Sequence, residues 1–390
     1  MDMQWGADGN FYLLTYGDGF FAANADAGVY RWSYVKGQRA PNAVLNTDRT
    51  DGALPLTVQF NSDGTRDPDP GDVLSYEWDF DGDGDVDSTE PSGSFTYTTA
   101  GQYVAKLTVS DQHGKTDVKT VTITAGNTTP TVTINTPVHG DFFNWGDDIP
   151  FTVTVTDPED GPIDCSRVTV TFILVHDSHG HGGQQVTGCS GVLDTNPDDI
   201  NHGGSIAGGI DASYTDLGAN GQPALTGTDQ HVVNMKRQQV EFVTEQSGTN
   251  TANTNDPEGG GQQRGSLASG DWIALNRQYT LANMDKKIRF RWAGGAADNP
   301  AGQDRVNVEI RSGSATGPIL TTVTLKSTGT NNNTWSTQEF DLDFAGTQRL
   351  FLVFRQIPGG PGAGGGGNAT FGALNWVEFT GPGAGVPAGP

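Results

Sequence analysis

Short runs in which apolar residues alternate with Thr, Ser or charged residues recur along most of this chain, with clusters of turn-forming residues between them. PLTVQF, LSYEWDF, GSFTYT, YVAKLTVSD and VKTVTITAG follow one another between residues 55 and 126. TPTVTINTP, IPFTVTVTDPEDG and CSRVTVTFILVHD repeat the pattern further on. An alternation of period two puts successive side chains on opposite faces of a pleated strand, so that one face can be buried. No Leu- or Ala-rich helical periodicity competes with it, and 55 of the 390 residues are Gly. The chain is therefore expected to be all-β, built as tandem β-sandwiches from short strands joined by many turns. Its length allows two to four domains.

The formal net charge of −24 narrows the partners. Such a surface repels nucleic acid and anionic membranes and attracts divalent cations. No apolar run approaches membrane-spanning length, so no membrane insertion is expected. The two cysteines, Cys165 and Cys189, flank a strand-like segment. One disulfide in an extracellular or cell-surface protein is the simplest reading, and two buried thiols the alternative. MDMQWGADGN is too polar to be a signal peptide. A secreted form is then expected to begin upstream of Met1.

Residues 79–90, DFDGDGDVDSTE, meet every fixed position of the twelve-residue calcium loop. Asp79, Asp81 and Asp83 stand at positions 1, 3 and 5, Gly84 at 6, Asp87 at 9 and Glu90 at 12. Asp85, inside the same loop, is counted with the ligands. Alternate residues of a tightly turning loop point inward, and Gly84 takes a bend that a Cβ would oppose. Glu90 can close the sphere with both oxygens. Without a cation these carboxylates repel one another; the other reading is an acidic solvated turn. The flanks SYEWDF and FTYTTAGQYVAKLTVSD are strand-like, so the expected calcium is structural rather than a sensing ion.

A second candidate is the His-rich run. Asp177, His179 and His181 alternate, with His176 beside them and His202 further on. Three ligands on one face could hold zinc or copper. A Gly-spaced surface loop beside the cysteines is the plainer reading. No G-x-S-x-G elbow, H-E-x-x-H, P-loop or Rossmann fingerprint is present. Carboxylate pairs such as Asp157 with Glu159 carry little information in so acidic a chain. No catalytic residue is assigned.

Several segments resemble known families. Residues 1–38, with DGNFYLLTYGDG and VYRWSYV, resemble the last propeller blade of soluble glucose/sorbosone dehydrogenases. That resemblance implies a quinone (PQQ)-dependent parent enzyme, but its catalytic blades are absent. Residues 39–126, with SDGTRDPDPGDVLSYEWDFDGDG and YVAKLTVSDQHG, resemble a PKD domain. The resemblance implies an immunoglobulin-like spacer with Trp78 in its core. Residues 127–237 read as a second immunoglobulin-like sandwich, VTDPEDG echoing the DPDPGD of the first.

Residues 238–381 carry QQVEFVTEQSG, GDWIALNRQYTL, KKIRFRWAGG, a Trp-bearing turn, LFLVF and a final NWVEF. They resemble a family 6 carbohydrate-binding module, a jelly roll. That resemblance implies sugar contacts from Trp335 and Asn375, with Trp272 as a further candidate. Trp376, next along the strand, should then point the opposite way, into the core. It also implies a structural calcium held by Gln239, Glu241 and Glu378. An aromatic that would help form the cleft is missing, since Ser266 and Leu267 stand before GDW. Residues 382–390 read as a flexible tail.

These elements predict a non-catalytic, calcium-stabilised region that targets a larger secreted protein to polysaccharide. Two other readings compete with it. One is a structural or adhesive protein whose β-sandwiches self-associate into a fibre or surface layer. The other is a fragment of a quinone-dependent sugar dehydrogenase.

Overall fold

The computed structural model describes residues 2–7, 10–15, 27–33, 37–176, 179–196, 204–295, 299–358 and 370–387. Among them every regular element is a β-strand or a short 3-10 turn such as Cys165–Arg167 or Val240–Phe242. No helix is long and apolar enough to cross a membrane. The chain divides into two compact units. One comprises Met1–Thr133, Thr154–Val168 and Ser213–Thr228, and the other Ile134–Val153, Thr169–Ala212 and Asp229–Pro390. The expected second sandwich, residues 127–237, thus contributes to both. Neither cysteine is free; both are disulfide-bonded.

The first unit contains a sandwich of two layers, antiparallel except where Asp51–Gly52 runs parallel to Thr116–Ala125. Asn46–Thr47, Leu56–Asn61 and Ser92–Tyr97 form one sheet. The other holds Asp51–Gly52, Thr116–Ala125, Gly101–Ser110 and Ser75–Asp79 in that order. The alternation is explicit in Leu56–Asn61, where Leu56, Val58 and Phe60 are buried and Thr57 and Gln59 exposed. Trp78 sits at the centre, its ring centroid 5.8 Å from Phe60 and 5.4 Å from Phe80. Its indole N–H donates to the Glu90 carbonyl at 2.9 Å, which removes the cost of burying that donor. Near the N-terminus, Asp2–Trp5, Phe11–Thr15 and Gly28–Trp32 form a separate three-stranded sheet. There Phe11 lies opposite both Trp5 and Trp32.

The second unit is dominated by a jelly roll. Its six-stranded sheet runs Asn250–Asn253, Gln262–Leu267, Gly372–Thr380, Lys287–Ala293 and Ser336–Asp341, with Arg237–Gln239 also paired to Gly372–Thr380. The five-stranded sheet runs Gln246–Ser247, Trp272–Tyr279, Gln348–Arg355, Asp304–Ser312 and Ile319–Lys326. Between them lies one apolar core that includes Ile273, Phe290, Val308, Leu352 and Phe379.

Phe142, upstream of the module in sequence, belongs to this same core. Its ring lies 5.8 Å from Tyr279 and 4.6 Å from Phe379. Polar contacts close around it. The Thr280 amide donates to the Gly140 carbonyl at 3.0 Å, and Asn283 Nδ2 to Asp141 Oδ2 at 2.7 Å. Gly140 adopts φ +83°, and a Cβ there would stand 3.0 Å from the Gln278 carbonyl, so only glycine permits the approach.

The C-terminal segment departs from its expected role as a free tail. The Ala384 amide donates to the Phe142 carbonyl, and Val386 and Pro387 pair with Asp148 and Asp147. Its glycines, which by composition suggest disorder, allow close backbone contact. A Cβ on Gly383 would fall 2.2 Å from the Phe142 carbonyl oxygen.

Candidate functional sites

The loop joining Asn250–Asn253 to Gln262–Leu267 organises one end of the jelly roll. Asp256 in this loop is buried and accepts hydrogen bonds from Arg291 at 2.6 and 2.9 Å. It also accepts from Asn375 Nδ2 at 2.7 Å and from the Glu258 amide. Burial alone would raise the Asp256 pKa. The donors from Arg291, Glu258 and Asn375 outweigh it and hold the carboxyl below the usual aspartate range. Asn255, one residue earlier, accepts from the Trp335 indole N–H at 2.8 Å, which fixes the orientation of that half-buried ring.

Asn375 is not free to meet a ligand. It is 0% exposed, and Gly259 lies so close that a Cβ there would be 2.0 Å from Asn375 Nδ2. The expected sugar contact is instead a donor that holds the loop down. Strand pairing explains the difference. Arg291 opposes Trp376 and Trp292 opposes Leu374, which leaves Asn375 as the extra residue of a β-bulge. A bulge re-aims side chains, so strict alternation fails at this point. Trp376 is buried, as its expected structural role requires. Its indole donates to the Glu258 carbonyl, and the Arg237 guanidinium lies 4.0 Å from its ring centroid.

Trp272 starts a strand of the other sheet and packs 5.6 Å from the Phe351 ring, so it does not pair with Trp335. Ser266, where an aromatic would help build a cleft, is exposed at φ +56° beside a register shift. Leu267 is core.

The opposite end of the same loop covers Glu241. Gln239 ends a strand and Glu241 sits in the following 3-10 turn. Glu241 is 8% exposed, and neither of its carboxylate oxygens has a hydrogen-bond partner; Gln239 Oε1 is likewise buried and unpartnered. A Cβ on Gly260 would stand 2.7 Å from Glu241 Oε1 and 3.5 Å from the Gln239 amide. Burial raises the Glu241 pKa, a shift tempered by the Arg264 guanidinium. Three orphaned buried oxygens against a glycine backbone suit a hard, oxygen-seeking cation such as calcium. Glu378, the third expected ligand, is not among them. Its carboxylate is held by Arg237 at 3.2 Å and Arg289 at 3.4 Å.

The acidic loop of the PKD-like sandwich closes differently from the expected twelve-residue cradle. Asp79, Asp81 and Asp87 each offer an oxygen within 4.8 Å of the others. Asp79 is already paired with Lys106 Nζ at 3.1 Å. Asp83, Asp85 and Glu90 are exposed and stand outside this group. The Trp78 amide donates to the Ser88 carbonyl and the Asp87 amide to the Trp78 carbonyl. This pairing draws the loop back along the strand and turns the Glu90 carbonyl, not its carboxylate, inward. The Asp83 carboxylate meanwhile accepts from the Asp85 amide. Gly84 does take a positive φ, +98°. Desolvation, with Asp83, Asp87 and Asp79 nearby, pushes the Asp81 pKa up.

A second carboxylate group escaped the sequence reading. Asp67, Asp72 and Asp111 converge within 4.8 Å, and the buried Asp111 receives the His113 and Lys115 amides on Oδ1. DPDPGD and SDQHG carry these residues, but only the fold brings the two segments together. Of the His-rich run, His176, His179 and His181 lie together. Asp177 and His202 fall outside the described residues.

Comparison with known proteins places two families on this chain. Residues 38–125 match the PKD domain model, and residues 239–380 match carbohydrate binding module (family 6). A β-1,3-glucan-binding family 6 module from Bacillus halodurans is 26% identical over 37% of this chain and 94% of its own length, with TM-score 0.28. The PKD1 domain of Vibrio anguillarum Epp is 39% identical over 23% of this chain and 98% of its own, with TM-score 0.20. Collagenase ColA of Clostridium perfringens is 31% identical over 98 residues, which are 25% of this chain and 8% of that enzyme. The protein is thus an all-β, multidomain chain with one region matching the PKD domain and another matching the family 6 module. The dehydrogenase resemblance of residues 1–38 finds no support in these matches.

The Asp256–Arg291 pair generates a pH-dependent expectation. The folded-state pKa of Asp256 is depressed, so its stabilisation is complete above the unfolded value of about 4 and is lost as pH falls through the lower folded value. Asp256→Asn leaves the Arg291 charge buried beside only the half-exposed Glu258 carboxylate. It is expected to cost about 3–5 kcal/mol at neutral pH. The gap to wild type should narrow in strong acid. Denaturant melts at pH 7 and pH 3 check this, and equal stabilities at pH 7 would contradict it.

Proposed function

We propose that this chain is a non-catalytic, extracellular region that binds polysaccharide through the family 6 module and uses the PKD sandwich as a spacer. The observation that carries the reading is Trp335. Within a module whose sequence matches a carbohydrate-binding family, an aromatic face is held at the surface by a hydrogen bond to a loop that is itself anchored by buried charges. Sugar recognition needs such a face for pyranose C–H surfaces, with polar groups around it for the hydroxyls. Asn255 supplies a polar group beside the ring, in place of the buried Asn375, and Glu258 is exposed on the same loop. The disulfide accords with an oxidising compartment. Tethering would raise the effective concentration of an attached protein at its polysaccharide.

A titration calorimetry panel of β-1,3-glucan, cello- and xylo-oligosaccharides tests the proposal. Trp335→Ala is expected to lower affinity at least about tenfold, or roughly 1.4 kcal/mol. Trp272→Ala should change it less than about twofold. No binding of any member, or a Trp335 variant indistinguishable from wild type, would overturn it.

We extend the proposal to calcium at Gln239 and Glu241, where the ion would neutralise a buried carboxylate and so stabilise the fold. Calcium should raise the melting temperature, by the equivalent of about 2.7 kcal/mol at one hundred times its Kd. In Glu241→Gln that portion of the shift should vanish. A wild-type shift equal to the variant's would refute this site.

A further inference from the structure

We infer that the hairpin of Val168–His176 and His179–Thr187 is a binding site for a divalent late transition ion of the zinc or copper(II) class, held by His176, His179 and His181. The antiparallel register supplies the first support. His176 lies directly opposite His179, and His181 lies two residues further along that strand, opposite Leu174. Directly opposed residues share a face, and so do residues two apart. The backbone therefore delivers all three imidazoles to one side of the hairpin end.

The side chains complete the convergence. The ring centroids lie 3.7 Å apart for His176 and His179, 5.0 Å for His176 and His181, and 5.2 Å for His179 and His181. Nε2 of His176 stands 2.9 Å from Nε2 of His181. One ring nitrogen from each residue lies within 4.8 Å of the others. Zinc–nitrogen bonds of about 2.0–2.1 Å at a tetrahedral centre put two donor nitrogens roughly 3.3 Å apart. Small side-chain rotations bring the triad to that spacing.

The His176 and His181 rings are stacked and hydrogen-bonded through their Nε2 atoms, while His179 meets both edge-on. That hydrogen bond accounts for two of the nitrogens; it does not require a nitrogen of His179 to join them, as it does. The donor set also selects the ion. Three imidazoles suit zinc, copper(II) or nickel, whereas calcium takes oxygen ligands. Three protein ligands leave a coordination position for water or another donor. The net charge of −24 raises the local concentration of any cation.

The test is calorimetric titration of the whole chain with zinc chloride, after chelator treatment and with millimolar calcium present to occupy carboxylate sites. One zinc site that calcium does not displace is expected. His179→Ala should weaken it at least about tenfold, and the His176→Ala, His181→Ala double variant should abolish it. His113→Ala, outside the cluster, should leave it unchanged. No zinc uptake at millimolar concentration, or equal uptake by wild type and the double variant, would overturn the inference. Should the variants fail to fold, cobalt(II) bound to wild type decides. A strong visible absorption of a four-coordinate nitrogen-ligated ion supports the site, and the weak absorption of six-coordinate oxygen ligation refutes it.

Discussion

The buried pair of Asp256 and Arg291 is the interaction on which the functional end of the module depends. Burying two opposite charges gains little net stability, because desolvation offsets their attraction. Its consequence is positional. Arg291 comes from a central strand and Asp256 from the loop above it, so satisfying the charge fixes where the loop lies. Three features follow from that placement. Asn255 meets the Trp335 indole, Gly259 seals Asn375, and Gly260 closes over Glu241.

This arrangement changes what the familiar elements of such a module do. The Asn of the terminal NW motif anchors the loop from beneath, and the proposed recognition surface is then Trp335 with the loop's own polar groups. The buried, unpartnered oxygens of Gln239 and Glu241 lie at the other end of the same short loop. Stabilising Glu241 and orienting Trp335 are therefore tasks of one segment, linked through five consecutive residues from Asn255 to Gly259 and the glycine that follows.

Much of the fold was legible because period-two alternation and burial are the same fact viewed twice. Leu56, Val58 and Phe60 announced an inner face, and Trp78 announced a core. What remained hidden depended on register or on distant partners. A one-residue bulge at Asn375 buries that side chain along with its neighbour Trp376, and no composition or spacing marks it. The acidic loop matched a calcium template residue by residue. Of its carboxylates Asp79, Asp81 and Asp87 converge while Asp83, Asp85 and Glu90 stand outside that group, and Lys106, from another strand, supplies a cation to Asp79. Glu378 likewise has partners that spacing does not reveal, since Arg237 and Arg289 reach it across strands. The histidines were visible as a motif, but their common face emerged only from the pairing of His176 with His179.

The central claim is that the surface formed by Trp335 and the 254–261 loop receives a carbohydrate. Nuclear magnetic resonance of the wild-type chain, titrated with a β-glucan oligosaccharide, observes that surface directly. The expected result is movement of the Trp335 indole N–H resonance together with the amides of Asn255 and Glu258, while the Trp272 indole stays in place. A spectrum that does not change, or changes confined to Trp272 and its neighbours on the opposite sheet, would contradict the account.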